Sequence, residues 1–258
     1  FIEFDDNAIF KWQQENPEIQ HRVNILNDNY QKSFIGQSRP RKITAKFLLL
    51  HTISHALIKQ LSFECGYSIA SLKERLYCSE IKEGKQMAGI LIYTASGDSE
   101  GTMGGLVRQG RSDTFPGIFK KAMETAMHCS NDPVCSLSTG QGRDSLNLSA
   151  CYSCSLIPET SCEEFNTFLD RGTIVGTYEN RKMGFYCKQL QGIDLWENTN
   201  IVGNSEDVSS QKKVNFIVID NGVDLRDADY SDIWKDLQGW SDDADEIALL
   251  SELENMKK

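Results

Sequence analysis

The chain has 258 residues, a formal net charge of -10 and a pI near 5.0. This length is enough to bury a core without support from metal or disulfides, in one large domain or two small ones. The acidic balance excludes a protein whose whole surface is basic and binds nucleic acid. Any binding of nucleic acid would need Lys and Arg gathered in a local patch.

The elements predicted for the first part of the chain are a strand over residues 1–4, helices that begin near Asp5 or Asp6 and at Pro17, a basic loop over 33–42, a buried helix over 43–63 and a helical piece over 68–77. Asp is a frequent N-cap residue and Pro is favoured in the first helical turn. Gly66 follows the buried helix and supplies its end, because glycine adopts the left-handed conformation that stops a helix.

The elements predicted for the rest of the chain are a strand over 89–94, a loop over 95–105, a helix beginning near Leu106 or near Phe115, a helix over 117–127, a loop over 136–149, a short helix over 161–170 and a strand over 216–220. The last strand has consecutive β-forming residues before an Asn221-Gly222 turn. We interpret residues 206–210 as a linker and the acidic tail over 224–254 as helices that dock on another surface.

The longest apolar stretch is not suited to span a bilayer. It begins at Phe47 and is interrupted by His51, Ser54 and His55, which leaves it too short and too polar. No signal-peptide pattern precedes the cysteines, which favours a reducing cytoplasm and predicts no structural disulfides. The first residue is not methionine and the chain starts like the interior of a strand, so we expect a piece of a longer protein.

Five of the eight cysteines are crowded into one segment, at Cys129, Cys135, Cys151, Cys154 and Cys162. The two-residue gap between Cys151 and Cys154 lets both sulfur atoms of a tight turn reach one metal ion, which makes this pair a zinc half-site. The spacing leaves open which of the other three cysteines complete the set. Disulfides and unrelated buried thiols are the alternatives.

His51 and His55 stand four residues apart in the predicted buried helix, so they lie on one face. Thr52 occupies the position where the zincin motif of metalloproteases has its glutamate general base. Three interpretations stay open for this pair: packing histidines, a polar functional surface, and a second metal site.

An acidic glycine-rich loop over residues 97–105 follows the strand over 89–94. Its carboxylates, Asp98 and Glu100, are oxygen ligands that suit magnesium, but the loop lacks the features of a P-loop and of a dinucleotide fingerprint. A tight turn packed against a helix is the structural alternative. No nucleophile with a companion base is recognisable.

Several short blocks occur in an order that resembles the MrfA-type zinc-binding (MZB) domain, in the version found in the DrmB family of DISARM anti-phage systems. The blocks are His51 to Ile58, Gly66-Tyr67, Glu74 to Tyr77, Gly89 to Ala95, Asp98 to Leu106, Pro158 to Glu163, Asn166 and Leu169 to Arg171. The resemblance covers about residues 1–175 and leaves residues 176–258 as a C-terminal extension. It implies that Cys151, Cys154 and Cys162 bind zinc together with Cys135 or Cys129.

These observations predict a mixed α+β fold: a helix-rich domain around a small sheet, with a Cys-coordinated zinc subdomain and an acidic C-terminal extension. Asn166, Asp170 and Arg171 are expected to hold the zinc subdomain to the main body. A zinc ion closed in by four thiolates has no open position for an activated water, so we expect a structural zinc and no catalytic residues.

The resemblance further implies a subunit that associates with a superfamily-two, DrmA-like DNA helicase in anti-phage defence and supports DNA engagement. Contacts to DNA would come from the basic loop with Arg39, Arg41 and Lys42, or from the region of Arg108, Arg111, Lys120 and Lys121. In the alternative interpretation all of these are solvated surface charges. Two other functions stay open: a metal-dependent nuclease or hydrolase that uses the loop over 97–105 with His51 and His55, and a protein-interaction adaptor without DNA contact.

Overall fold

A computed structural model describes residues 1–79, 87–94 and 104–190, and the backbone of residues 215–216. Its helices are α1 (Asp6–Glu15), α2 (Pro17–Lys32), α3 (Phe34–Ser38), α4 (Ala45–Cys65), α5 (Gly104–Gln109), α6 (Phe115–Ala126) and α7 (Gly172–Val175). Its strands are β1 (Ile2–Glu3), β2 (Leu72–Ser79), β3 (Met87–Thr94) and β4 (Asn215–Phe216). The predicted mixed α+β class is confirmed. The linker over 206–210 and the acidic tail lie outside the described residues, as does the strand prediction beyond residue 216.

The small sheet is antiparallel, with strand order β2-β3-β1-β4. Ile90 in β3 pairs with Ile2 on one side and with Leu76 on the other, so β3 is the central strand between β2 and β1. Gly89 lies where the ring of Phe1 crosses this strand, and a Cβ atom there would stand 2.5 Å from the ring. A larger residue at this position would displace the ring of Phe1, so glycine suits the close approach.

The prediction of a helix over residues 68–77 is wrong. Residues Ile69–Ser71 form one turn of 3-10 helix, and the chain then enters β2, which pairs along its full length with β3. Leu72 and Glu74 are both buried, which is the period-two burial of a strand. Pairing with a strand that comes later in the sequence overrode the local helical pattern.

Helix α4 is the centre of the molecule, as its apolar sequence predicts. It contacts β2, β3, α6 and α7, so side chains on almost every face are buried. The Thr44 side chain accepts a hydrogen bond from the amide of Phe47 at 3.2 Å and caps the first turn. Gly66 ends the helix with a φ of +71°, in the left-handed conformation that the sequence indicates.

The remaining helical predictions concern α1, α3, α5 and α6. Asp5 caps α1, because its carboxylate accepts hydrogen bonds from the amides of Asn7 and Ala8 at 3.0 and 3.2 Å. The segment predicted as a basic loop contains the short helix α3, which Ser33 caps through the amide of Gly36. Both alternative starts after the glycine-rich loop correspond to helices, with α5 across Leu106 and α6 beginning at Phe115.

The short helix predicted over residues 161–170 is absent from the described chain. Phe165, Asn166 and Phe168 have φ values of +50°, +59° and +61°, and a right-handed helix cannot continue through such residues. Phe165 is exposed whereas Phe168 and Leu169 are buried, so these apolar residues do not share one face. The segment is an irregular loop that lies against α4.

Residues 183–190 join the same core as the N-terminal helices. The indole nitrogen of Trp12 donates a hydrogen bond to the carbonyl of Met183 at 2.7 Å, and the Trp12 and Phe185 rings meet edge to face at 5.5 Å. The domain boundary proposed at residues 175 and 176 stays a prediction. Among the described residues, no helix has the length and apolar character that a membrane span requires.

Candidate metal centre

Four cysteines, Cys129, Cys135, Cys151 and Cys154, converge at the C-terminal end of α6 and are called the four-cysteine cluster below. The Sγ atoms of Cys129 and Cys151 are 3.4 Å apart, and Cys154 Sγ lies 3.8 Å from both Cys135 and Cys151. All four sulfur atoms lie within 4.8 Å of one another. Helix α6 delivers Cys129 just past its end, as the sequence predicts, and the loop over residues 136–149 returns the chain to Cys151.

The turn from Cys151 to Cys154 has the geometry of a metal half-site. The amides of Cys154 and Ser155 donate to the carbonyl of Cys151 at 3.2 and 2.9 Å, which folds the two-residue gap tightly. The amide of Cys151 points at Cys154 Sγ from 3.3 Å, and the side-chain amide of Asn131 points at Cys151 Sγ from the same distance. Donors directed at both sulfur atoms stabilise thiolates, the form that binds metal.

The thiols of this turn are more acidic than those of its partners. The hydrogen bond with Cys135 lowers the pKa of Cys154 to about 4. Burial opposes ionisation of Cys151, but hydrogen bonds that include the one from Asn131 lower its pKa below the ordinary value. Burial instead raises the pKa of Cys129 to about 11. The half-site from Cys151 to Cys154 is therefore the part of the cluster best prepared to be anionic.

The four sulfur atoms fit a tetrahedral zinc ion. With Zn–S bonds of about 2.3 Å, a regular tetrahedron separates its sulfur atoms by about 3.8 Å. The separations of 3.4 to 3.8 Å are close to that value. A set of four thiolates is typical of structural zinc and leaves no position for substrate or activated water.

Two buried ion pairs join the four-cysteine cluster to the helices. Arg171 pairs with Asp132, which lies between Cys129 and Cys135, and also donates to the carbonyl of Ala126 at the end of α6. Arg22 in α2 binds the carboxylate of Asp170 with two hydrogen bonds, at 2.6 and 2.8 Å. These contacts agree with the prediction that Asp170 and Arg171 hold the zinc subdomain to the main body.

The structure corrects the grouping of Cys162 with Cys151 and Cys154. Cys162 lies apart from the four-cysteine cluster, and its Sγ is 3.2 Å from Nε2 of His51. Cys129 and Cys135 both lie in the cluster, and binding of zinc by both stays a prediction. Sequence spacing could not separate these possibilities, because the loop conformation after Cys154 decides where Cys162 points.

The basic residues predicted to contact DNA occupy two separate segments. Arg39, Arg41 and Lys42 follow α3, while Arg108 and Arg111 lie at and just past the end of α5, and all five are exposed. Arg41 already has an intramolecular role: it binds Glu164 with two hydrogen bonds, at 2.8 and 2.5 Å. Its guanidinium also stacks over the rings of Tyr30, Phe47 and Phe168.

The acidic loop of the alternative enzyme site, with Asp98 and Glu100, lies outside the described residues. The other half of that site, His51 and His55, is fully buried inside the fold. A substrate in solution therefore has no access to this histidine pair.

One residue that contacts both histidines was missed at the level of sequence. Glu74 is buried in β2 with Oε1 3.1 Å from His51 Nε2 and 3.6 Å from His55 Nε2. The alternation of Leu72, Glu74 and Leu76 was the available signal, since it predicts that Glu74 shares the inner face of a strand with two apolar residues.

Comparison with known proteins gives two matches. Residues 53–155 match the family model of MZB, the MrfA Zn-binding domain, and this range contains all four cysteines of the cluster. A DISARM protein DrmB of Bacillus paralicheniformis is 41% identical over 189 residues, which are 72% of this chain and 33% of the relative. The chain thus spans about a third of the length of that relative.

Proposed function

Because the chain carries an MZB domain, a zinc-binding domain, we propose that it is a non-catalytic part of a DrmB-like DISARM protein. In this proposal the domain associates with a DrmA-like superfamily-two helicase in the cytoplasm and supports the engagement of foreign DNA. Zinc, held by Cys129, Cys135, Cys151 and Cys154, stabilises the surface that meets the partner. The helicase supplies the ATPase activity.

The closed four-cysteine cluster is the observation that carries the non-catalytic part of the proposal. Four thiolates complete the coordination of zinc, so the ion has no vacant position at which to polarise a substrate. The ion pairs of Arg171 with Asp132 and of Arg22 with Asp170 connect this cluster to α6 and α2. Such connections suit a site that shapes a rigid surface.

The match to a DISARM protein DrmB supports the proposed role in a DISARM system. Its identity of 41% extends over 189 residues, well beyond the cysteine segment, so the similarity is not confined to the metal ligands. Several of the blocks that resemble the family lie in α4, β2 and β3, which form the core. We infer that the whole core, and not the zinc segment alone, is the unit that a helicase partner would recognise.

Contacts to DNA are proposed at Arg39, Lys42, Arg108 and Arg111. Arg41 is included with a smaller expected role, because its guanidinium is already held by Glu164 and by three aromatic rings. The net charge of -10 makes strong binding of DNA by this chain alone unfavourable. We therefore expect these residues to act when the helicase has already brought DNA close.

The decisive experiment is capture of a purified DrmA-like superfamily-two helicase, with the tagged chain as bait. Wild type and Cys154→Ser are compared with Cys65→Ser, a change to a cysteine outside the four-cysteine cluster. We expect the wild type and Cys65→Ser to retain the helicase and Cys154→Ser to lose most of it. A folded, zinc-loaded wild-type chain that captures no helicase would contradict the proposal.

The mobility of labelled DNA with the captured complex, and cleavage of DNA by the chain alone, test the two other functions. If the charge reversals Arg39→Glu and Lys42→Glu leave the mobility of labelled DNA unchanged, the protein is an interaction adaptor without DNA contact. If the purified chain cleaves DNA without its partner, it is an enzyme. The proposal predicts reduced DNA retention and no cleavage by the chain itself.

A further inference from the structure

A second set of metal-ligating side chains lies inside the core, away from the four-cysteine cluster. His51 and His55 come from α4, Glu74 comes from β2, and Cys162 comes from the loop after the cysteine segment. One nitrogen, oxygen or sulfur atom from each of the four lies within 4.8 Å of the others. Both histidines are 0% exposed, Glu74 is 2% exposed and Cys162 is 6% exposed.

The two histidines present the same nitrogen atom to the centre of the set. Nδ1 of His51 is 3.3 Å from the carbonyl of Phe168, and Nδ1 of His55 is 2.9 Å from the carbonyl of Ser155. A carbonyl accepts hydrogen bonds and cannot donate, so Nδ1 carries the proton in both rings. In the neutral form of each ring the lone pair is then on Nε2 and faces inward, which is the arrangement of histidines that bind metals.

Nε2 of His55 has no hydrogen-bond partner among the described residues, although its atom is fully buried. Oε1 of Glu74 lies 3.6 Å from it, beyond hydrogen-bond distance. A buried polar atom without a partner loses its interaction with water and gains nothing in return. A metal ion between His55 and Glu74 would satisfy this nitrogen.

Cys162 is prepared as an anionic ligand. The backbone amides of Glu164 and Asn166 both point at its Sγ from 3.3 Å. The left-handed conformations of Phe165 and Asn166 curl the loop around the sulfur atom and make this possible. Two amides that converge on one sulfur stabilise a thiolate, which is the form of cysteine that binds metal.

Glu74 is oriented by hydrogen bonds to both oxygen atoms of its carboxylate. The hydroxyl of Ser54 donates to Oε2, and the amide of Glu163 lies 3.3 Å from Oε1. Oε1 faces the histidines, 3.1 Å from Nε2 of His51. Support of this kind around a ligand holds it in place for a metal ion.

We propose that His51, His55, Glu74 and Cys162 form a second zinc site, separate from the four-cysteine cluster. Zn–N and Zn–O bonds of about 2.0 to 2.1 Å and a Zn–S bond of about 2.3 Å place tetrahedral ligand atoms about 3.3 to 3.6 Å apart. The separation of 3.6 Å from His55 to Glu74 falls in this range, and those of 3.1 Å from His51 to Glu74 and 3.2 Å from His51 to Cys162 are slightly shorter.

The proposed ion is structural. All four positions are filled by protein atoms, and the burial of the ligands leaves no path for substrate. Its ligands come from α4, β2 and the loop that carries Cys162, so it ties the central helix to the sheet and to the end of the zinc segment. A set of two nitrogens, one oxygen and one sulfur suits zinc better than the hard cations magnesium and calcium.

Metal content of the full chain tests the proposal without reference to the helicase. We expect about two zinc ions per chain in the wild type and about one in Cys154→Ser, which damages only the four-cysteine cluster. Glu74→Gln keeps the size of the side chain but removes its charge, and we expect it to hold about one. One zinc ion in the folded wild type, and none in Cys154→Ser, would overturn the second site.

X-ray absorption at the zinc edge decides the question even if a variant fails to fold. Two sites with the ligand sets described give five sulfur and three nitrogen or oxygen neighbours over both ions. A zinc environment of sulfur alone in the wild type would contradict the second site and leave the four-cysteine cluster intact. An environment dominated by nitrogen and oxygen would contradict the four-cysteine cluster instead, so the two claims fail separately.

Discussion

The Nδ1 atom of His55 lies 2.9 Å from the carbonyl oxygen of Ser155, the residue that directly follows Cys154. This contact joins the middle of α4 to the tight turn of the four-cysteine cluster. One turn further along α4, Lys59 donates to the carbonyl of Cys154 at 2.9 Å. The central helix and the four-cysteine cluster are therefore joined by hydrogen bonds, and we expect loss of metal from the cluster to destabilise α4.

The first prediction concerns zinc in the four-cysteine cluster. Cys154→Ser removes one of the four thiolates, so we expect zinc bound at this cluster to be lost and the midpoint of thermal unfolding to fall. A loss of about 3 kcal/mol in the free energy of unfolding would lower the midpoint of thermal unfolding by about 6 to 12 °C for a domain of this size. Mass-spectrometric zinc content and calorimetry check both expectations.

The control for this variant is Cys65→Ser, which changes a partly buried thiol at the end of α4. It should keep its zinc and shift the unfolding midpoint less. Undiminished zinc in Cys154→Ser would show that the four-cysteine cluster does not bind the ion.

The second prediction concerns where the effect of metal removal is felt. Chelation of zinc should increase amide hydrogen exchange in residues 129–155 and in the C-terminal half of α4, because His55 and Lys59 bond to the turn that holds Cys154. Helix α1 makes no contact of this kind within the described residues and should respond less. Equal increases throughout the chain would mean that zinc supports the whole fold at once.

The third prediction concerns the buried ion pair of Arg22 with Asp170. Arg22→Ala leaves the carboxylate of Asp170, which is 0% exposed, without its cation, and we expect a loss of about 3 to 5 kcal/mol in the free energy of unfolding. Lys11→Ala breaks an exposed ion pair with Glu15 and should change the free energy of unfolding by about 0.5 kcal/mol or less. Urea denaturation of both variants gives the comparison, and similar small values would refute the structural role of Asp170.

The fourth prediction compares two glycines. Gly66 has a φ of +71° and no atom near the position of a Cβ, so Gly66→Ala should cost about 1 kcal/mol through backbone strain alone. Gly117 lies in α6 with equally open space and no positive φ, and Gly117→Ala should stabilise the protein by about 0.5 to 1 kcal/mol. In denaturant melts we expect the two variants to change the free energy of unfolding in opposite directions. Changes in the same direction would contradict the assigned end of α4.

The fifth prediction concerns the proposed DNA contacts in the helicase complex. Arg39→Gln with Lys42→Gln removes two cations without adding charge, and the slope of log affinity against log salt should fall by about 2 if both touch phosphate. Lys11→Gln, on the exposed face of α1, serves as the matched charge control. Filter binding over a range of salt concentrations provides the slopes, and an unchanged slope would remove these two residues from the DNA surface.

The sequence by itself determined the elements whose cause is local. The apolar run from Ala45 to Cys65 with its glycine stop predicted α4, since its caps and composition act within one segment. The spacing of Cys151 and Cys154 predicted a metal half-site, because two residues suffice to bring both sulfur atoms together. The order of short blocks indicated the MZB family before any coordinates, and the family model matches residues 53–155.

Tertiary structure alone decided which distant side chains meet. Residues 72–79 became a strand because β3 offers a full row of pairing partners, and this turned Glu74 inward toward His51 and His55. Cys162 lies outside the four-cysteine cluster because residues in the left-handed conformation redirect the loop that carries it. Spacing constrains atoms only within a turn or two of the chain, whereas the second set of ligands is gathered from a helix, a strand and a loop by packing of the core.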